Sequence, residues 1–138
     1  QHMRALRAEL PDDLYAELRG SSDSETLFLL AVAAIRGGAT LPEALERVAK
    51  TVYDRVGRET EAQMNLILSD GERIAAVRSG TLLETNSLYL AKRPPFAPDG
   101  IVLASERLDS GAVWEPVDGH SWIEIGPQLE AQGEGLFF

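Results

Sequence analysis

The chain has 138 residues, with 13 Lys+Arg against 22 Asp+Glu for a formal charge of −9, and 44% of it is hydrophobic; that is the make-up of one folded domain, not of a disordered or collagen-like chain. Its longest apolar run, Leu27 to Ile35, is cut off by Arg36 and Gly37, short of the ~18 residues a membrane-spanning helix needs, and an acidic chain with singly scattered Lys and Arg lacks the basic face that nucleic acid requires. There is no cysteine, which excludes disulfides, thiolate zinc sites and a cysteine nucleophile within these residues.

Gln1-His2-Met3 has no charged segment leading into an apolar one, so it is not a signal peptide and a cytoplasmic location is expected; such a start fits a tag remnant or the interior of a longer chain. Helices are expected over residues 3–57. Leu6, Leu10, Leu14 and Leu18 recur every four residues, and Pro11 divides the stretch into two short helices with Asp12 and Asp13 opening the second. Ser22 followed by Glu25 fits a capping box ahead of an apolar helix that Gly37 and Gly38 end. Thr40 and Glu43 repeat the pattern with Pro42 in the first turn, and Leu45, Val48, Ala49, Val52 and Val56 form the stripe of an amphipathic helix that stops at Gly57.

From 62 to 126 the period becomes alternating and strands dominate. Met64–Leu68 and Arg73–Val77 flank Asp70-Gly71, the favoured pair for a type I′ hairpin turn with positive φ at both central positions. Further strands are expected at Ser87–Ala91, Ile101–Ala104 and Ser121–Ile125, with the three-proline stretch Lys92–Gly100 as a loop. The tail, 127–138, has no clear period. Helices followed by antiparallel strands, with no repeat and no linker, give a single α+β domain over 1–138.

Little chemistry is legible locally. His2 and His120 lack a partner at metal-ligand spacing, no nucleophile elbow or phosphate-binding glycine loop occurs, and so no metal, nucleotide or other cofactor is expected. His120 fits the start of a strand, and Trp114 and Trp122 fit core or sheet-edge anchors. Ser21-Ser22-Asp23-Ser24-Glu25 has two explanations. It is a complete helix-start device with an acidic first turn; and because Asp23 is not needed by the cap, its carboxylate is also placed to meet a ligand ammonium.

The order of several short motifs goes further. Ser22-Asp23-Ser24-Glu25, Asn65-Leu66-Ile67-Leu68-Ser69-Asp70-Gly71-Glu72-Arg73, Ser87-Leu88-Tyr89-Leu90-Ala91, Leu103-Ala104-Ser105-Glu106 and Gly119-His120-Ser121-Trp122-Ile123-Glu124-Ile125, over residues ~4 to ~127, resemble the latter part of class II glutamine amidotransferase domains. The resemblance is to the compact bacterial branch that includes the ergothioneine-pathway amidohydrolase. It implies an N-terminal-nucleophile hydrolase fold, a four-layer αββα sandwich of which this chain supplies the C-terminal portion. It also implies that Asp23 binds the α-amino group of glutamine or a γ-glutamyl compound, and that Ala104-Ser105-Glu106 is structural.

In that family the first residue is a cysteine that attacks the glutamine side-chain amide, and an Asn-Gly pair forms the oxyanion hole. Neither is found ahead of the matching motifs here, and Arg107 stands where the branch often has proline. The resemblance therefore implies a parent domain that hydrolyses the amide and a lone chain that does not. The front half would have been removed, be encoded separately, or be absent from a degenerate binding relic; a fragment or split chain is favoured. A half-domain would expose a sheet face, with Leu66, Leu68, Val77 and Ile101 as candidates, and would pair with the missing half or self-associate. The alternative is a non-catalytic α+β interaction module in which Asp23 only serves the helix start.

Overall fold

The computed structural model describes residues 2–136. Four helices come first, α1 (His2–Arg7), α2 (Asp12–Tyr15), α3 (Asp23–Arg36) and α4 (Leu41–Val56). Seven strands follow, β1 (Gln63–Ser69), β2 (Ile74–Gly80), β3 (Tyr89–Lys92), β4 (Ile101–Ala104), β5 (Trp114–Pro116), β6 (Ser121–Ile125) and β7 (Ala131–Gly135), with a 3-10 turn at Leu83–Thr85. Pro11 separates α1 from α2 as expected, because its fixed φ (−55°) and missing N–H suit a helix start and not a helix interior. The α4 capping box is complete: Thr40 Oγ1 accepts from Glu43 N–H, and Thr40 N–H donates to the Glu43 carboxylate. At the start of α3 the box is only half formed. Ser22 Oγ accepts from Glu25 N–H, but the Glu25 carboxylate turns away to the N–H groups of Arg19 and Gly20.

The strands form two antiparallel sheets, one ordered β1-β2-β6-β7 and the other β4-β3-β5. Side-chain alternation along β2 assigns the layers. Ala75 and Val77 face the helices, where they join Leu6, Leu41, Leu45, Ala49, Val52, Tyr53 and Met64 in one core. Ala76 faces the second sheet and packs with Leu88, Val117, Leu103 and Ile123. A further cluster of Leu10, Leu14, Leu29, Leu30 and Val48 ties α2, α3 and α4 together. Among the described residues the order is thus helices, four-stranded sheet, three-stranded sheet.

Several expectations are corrected. Val77 is fully buried and Leu66 and Leu68 are half-buried, because α3 and α4 cover the sheet face on which these residues lie; Ile101 is likewise half-buried. The face toward the second sheet does stay open beside β1, where Ile67 and Ile74, on the same face as Ala76, are 52% and 37% exposed. Within the tail, β7 pairs with β6 from Ser121↔Gly135 to Ile125↔Ala131. Its residues, Ala-Gln-Gly-Glu-Gly, are mostly exposed, so backbone hydrogen bonds and not an apolar stripe hold it in place. Phe137 and Phe138 lie outside the described residues. Strand β5 was also not evident in the sequence; it is three residues long and is anchored by Trp114, whose ring N–H donates to Asp109 Oδ1 and whose ring stacks with Phe96 at 6.3 Å.

The hairpin between β1 and β2 forms, but its turn is shifted by one residue. The ladder closes at Ser69↔Ile74, and of the turn residues only Gly71 has positive φ (+93°), so this is not the type I′ turn centred on Asp70-Gly71. Asp70 instead accepts from the N–H groups of Arg73 (2.8 Å) and Glu72 (3.0 Å), which hold its carboxyl below the usual carboxylate range. No helix among the described residues is long and apolar enough to cross a membrane.

The open space around the Gly71 Cα means that an added Cβ meets no atom within 4 Å. The cost of Gly71→Ala is then backbone strain alone, and we expect about 1 kcal/mol of lost stability in urea unfolding with the ladder unchanged.

Candidate substrate-binding site at the start of helix α3

Five hydrogen bonds fix the first turn of α3. Ser22 Oγ caps Glu25 N–H at 3.2 Å. The Glu25 carboxylate takes the Arg19 and Gly20 N–H groups at 2.8 Å each, and Arg7 of α1 donates to Gly20 O at 2.9 Å and to Thr26 Oγ1 at 3.4 Å. The backbone donors at Arg19 and Gly20 hold the Glu25 carboxyl below its ordinary range, with Arg7 and Arg19 adding smaller effects in the same direction. The Arg19–Gly20 turn is thereby tied to both α1 and α3.

Asp23 sits on this platform as the first residue of α3 and is solvent-exposed. Its Oδ1 accepts from Ser24 N–H at 2.8 Å and lies 3.5 Å from Ser24 Oγ. Ser22, not Asp23, supplies the cap. Asp23 lines a cavity of about 290 Å³ together with Leu27 of α3, Val52 and Val56 of α4, and Gln63 and Met64 at the start of β1. The arrangement is a carboxylate at the rim of a largely apolar cavity, beside the first strand of the sheet. It suits a small ligand with an ammonium at one end.

His120 directly precedes β6, as expected of a strand start, with φ of +52°. Its Nδ1 is 2.9 Å from Ser79 Oγ, which is 2.9 Å from the buried Tyr53 hydroxyl. This Tyr53–Ser79–His120 chain joins α4 and β2 to the residue that precedes β6, and Ser79 is the ladder partner of the cavity residue Met64. Its members are 26 and 41 residues apart, so no local pattern announces it. Sequence reasoning also missed a polar cleft of about 530 Å³ lined by Gln63, Asn65, Asn86, Ser87, Ser105 and Glu106. Asn65 and Ser105-Glu106 lay inside quoted motifs, but only tertiary structure brings them together. Among the described residues no three His, Asp or Glu side chains are grouped so as to hold a metal ion.

No protein-family model matches the chain, and no curated protein matches it. Its architecture does match a solved structure, that of a glutamine aminotransferase class-II domain protein from Silicibacter pomeroyi. The TM-score is 0.79 at 24% sequence identity, and the match covers 97% of this chain and 60% of that one. The resemblance first seen in the motifs therefore holds at the level of fold. The chain spans 60% of the length of that protein.

The anchored helix start has a pH signature. A carboxyl held below its unfolded value stabilises the fold at neutral pH, and that contribution disappears as pH falls through the depressed value. We expect Glu25→Gln to flatten the loss of stability below about pH 5 relative to wild type, as followed by melting temperature against pH. An acid limb of unchanged steepness would remove Glu25 from the platform.

Proposed function

We propose that this chain is the C-terminal part of a glutamine amidotransferase-type domain of the cytoplasm, completing a four-layer αββα N-terminal-nucleophile sandwich. In this reading the domain hydrolyses the side-chain amide of glutamine or of a γ-glutamyl compound. A second polypeptide segment supplies the thiol, because no residue of this chain is a cysteine. The thiolate attacks the amide carbon, the C–N bond breaks and ammonia leaves with the transferred proton, and water then releases glutamate from the thioester. This chain contributes substrate binding and scaffold.

The observation that carries this reading is the division of labour between two adjacent side chains. Ser22 caps the helix, and Asp23 presents a carboxylate at the cavity rim without being used by the cap. In a site partly shielded from water, a carboxylate opposite the α-ammonium fixes the substrate's orientation as well as its charge. The competing interaction-module reading draws support from Asp23 Oδ1 accepting the neighbouring Ser24 N–H, a contact that a purely structural first-turn residue also makes. The two readings separate on one residue.

Two outcomes follow. The purified 138-residue chain releases no ammonia from glutamine; measurable turnover by it would falsify the assignment of the nucleophile to another segment. In the domain completed with its thiol-bearing segment, which would cover the Asp23 carboxylate that is exposed in this chain, Asp23→Asn lowers kcat/KM for glutamine by tens to thousands of fold, roughly 2–5 kcal/mol, because an ammonium shielded there loses its counter-charge. Its stability changes by no more than about 0.3–1 kcal/mol. Ser22→Ala shows the reverse, losing about 1 kcal/mol of stability with glutamine use retained. A drop below about threefold in Asp23→Asn, with a wild-type melting temperature, would leave only the structural role.

A further inference from the structure

Strand β1 is the margin of one sheet and β4 the margin of the other, and both margins open on the same side of the molecule. Asn65 Nδ2 in β1 donates to Ser87 O ahead of β3 at 2.5 Å, and Ser87 Oγ donates to Ser105 O just past β4 at 2.6 Å. At the far side β5 is next to β6 and β7, with Glu115 and Trp122 lining one cavity. The phase of the β1–β2 ladder is set by two flanking bonds, Thr81 N–H to Ala62 O and Asp70 N–H to Arg73 O. Because an antiparallel ladder directs successive residues to opposite sides, Met64, Leu66 and Leu68 bond to β2. Asn65, Ile67 and Ser69 then point their N–H and C=O groups outward at the open edge.

The two flanks of that edge differ in chemistry. On the helix side is an apolar groove of about 200 Å³ containing Leu27, Phe28, Leu66 and Leu68, with Phe28 54% exposed. On the other side Ile67 is 52% exposed, next to the polar cleft of Asn65, Asn86, Ser105 and Glu106. Two buried acceptors, Asn65 Oδ1 and Asn86 Oδ1, have no donor among the described residues. Their amide nitrogens already donate to Ser87 O and Ser79 O, which fixes the oxygen ends as acceptors. Gly80 keeps this corner open, since a Cβ there would come within 2.9 Å of Ala62 O.

We propose that the open side is a strand-addition surface, and that its occupant is an extended segment of the thiol-bearing polypeptide invoked under the proposed function, on which this inference rests. The segment pairs with the outward backbone groups of β1. Its side chains alternate, apolar ones filling the Phe28 groove and N–H or O–H donors meeting Asn65, Asn86 and Glu106. A second copy of this chain suits the surface poorly: each copy carries −9 and would bring further acceptors and carboxylates, so like charges would repel. The structural neighbour has the required length, because two fifths of it lie beyond the matched 60%.

The test is co-expression of the chain with the polypeptide encoded directly upstream of it, followed by hydrogen exchange on the complex and on the chain alone. We expect a one-to-one complex in which the amides of Asn65, Ile67 and Ser69 exchange at least about tenfold more slowly than in the chain alone. Ile67→Pro removes an outward N–H, which an edge strand tolerates; it should keep the melting temperature within about 3 °C and weaken the complex at least about tenfold. A complex that leaves those amides unprotected, a chain that protects them by dimerising alone, or no upstream polypeptide that binds would each overturn the proposal. A complex that forms through β1 and yet releases no ammonia from glutamine would leave the docking surface standing and remove the amidohydrolase reading.

Discussion

The molecule is organised by the double burial of β2. This strand is covered by helices on one face and by the second sheet on the other, and Ala75, Ala76 and Val77 are all at 0% exposure. Small side chains at two of these positions let both layers approach closely, and interior packing at crystal-like density makes any enlargement there costly. Both cores are referred to this one strand: Leu45, Val52 and Met64 pack over Ala75 and Val77, and Leu88, Val117 and Leu103 pack under Ala76. A strand in this position reads as a nearly continuous small-apolar run and not as an alternation, as Ile74-Ala75-Ala76-Val77 does.

From β2 outward, polar groups set the remaining geometry. Arg78 donates to the carbonyls of Leu83, Asn86 and Val117, so one guanidinium holds the connection from β2 to β3 against the segment that leads to β6. Five donors in a rigid fork allow this where lysine would not. At the other end of the fold, Arg7, Ser22 and Glu25 anchor the beginning of α3. Each of these polar devices satisfies backbone groups that burial or helix geometry would otherwise leave unmatched. They leave Asp23 with its carboxylate at the rim of a cavity.

The proposed site and the proposed docking surface are connected through β1. Gln63 lines both the cavity beside Asp23 and the polar cleft between the sheet margins, so a segment added to β1 would reach a ligand held by Asp23. In the proposed reading the domain is assembled from two stretches of chain: one would carry the ammonium-binding carboxylate and the sheet platform, the other the nucleophile and the strands that finish the sheets. The match to a solved structure is one of fold alone, and fold does not by itself assign chemistry.

What the sequence by itself determined is local. Caps at Ser22 and Thr40, the break at Pro11, the apolar stripe of α4 and the Gly71 hairpin all follow from contacts within a few residues, and each appears in the structure. The order of motifs was specific enough to point to the fold, although no single motif was. Tertiary structure alone decided the rest. It redirected Glu25 from its own helix start to Arg19 and Gly20, moved the turn register by one residue, and added β5 and β7, which are held by ladder bonds to β3 and to β6. It buried Val77 and left Ile67 exposed on the opposite face, because which surface is covered depends on where α3, α4 and the second sheet pack. Asn65, Asn86 and Glu106 form a cleft only after two sheets stack, and their separations along the chain carry no period from which that proximity could be read.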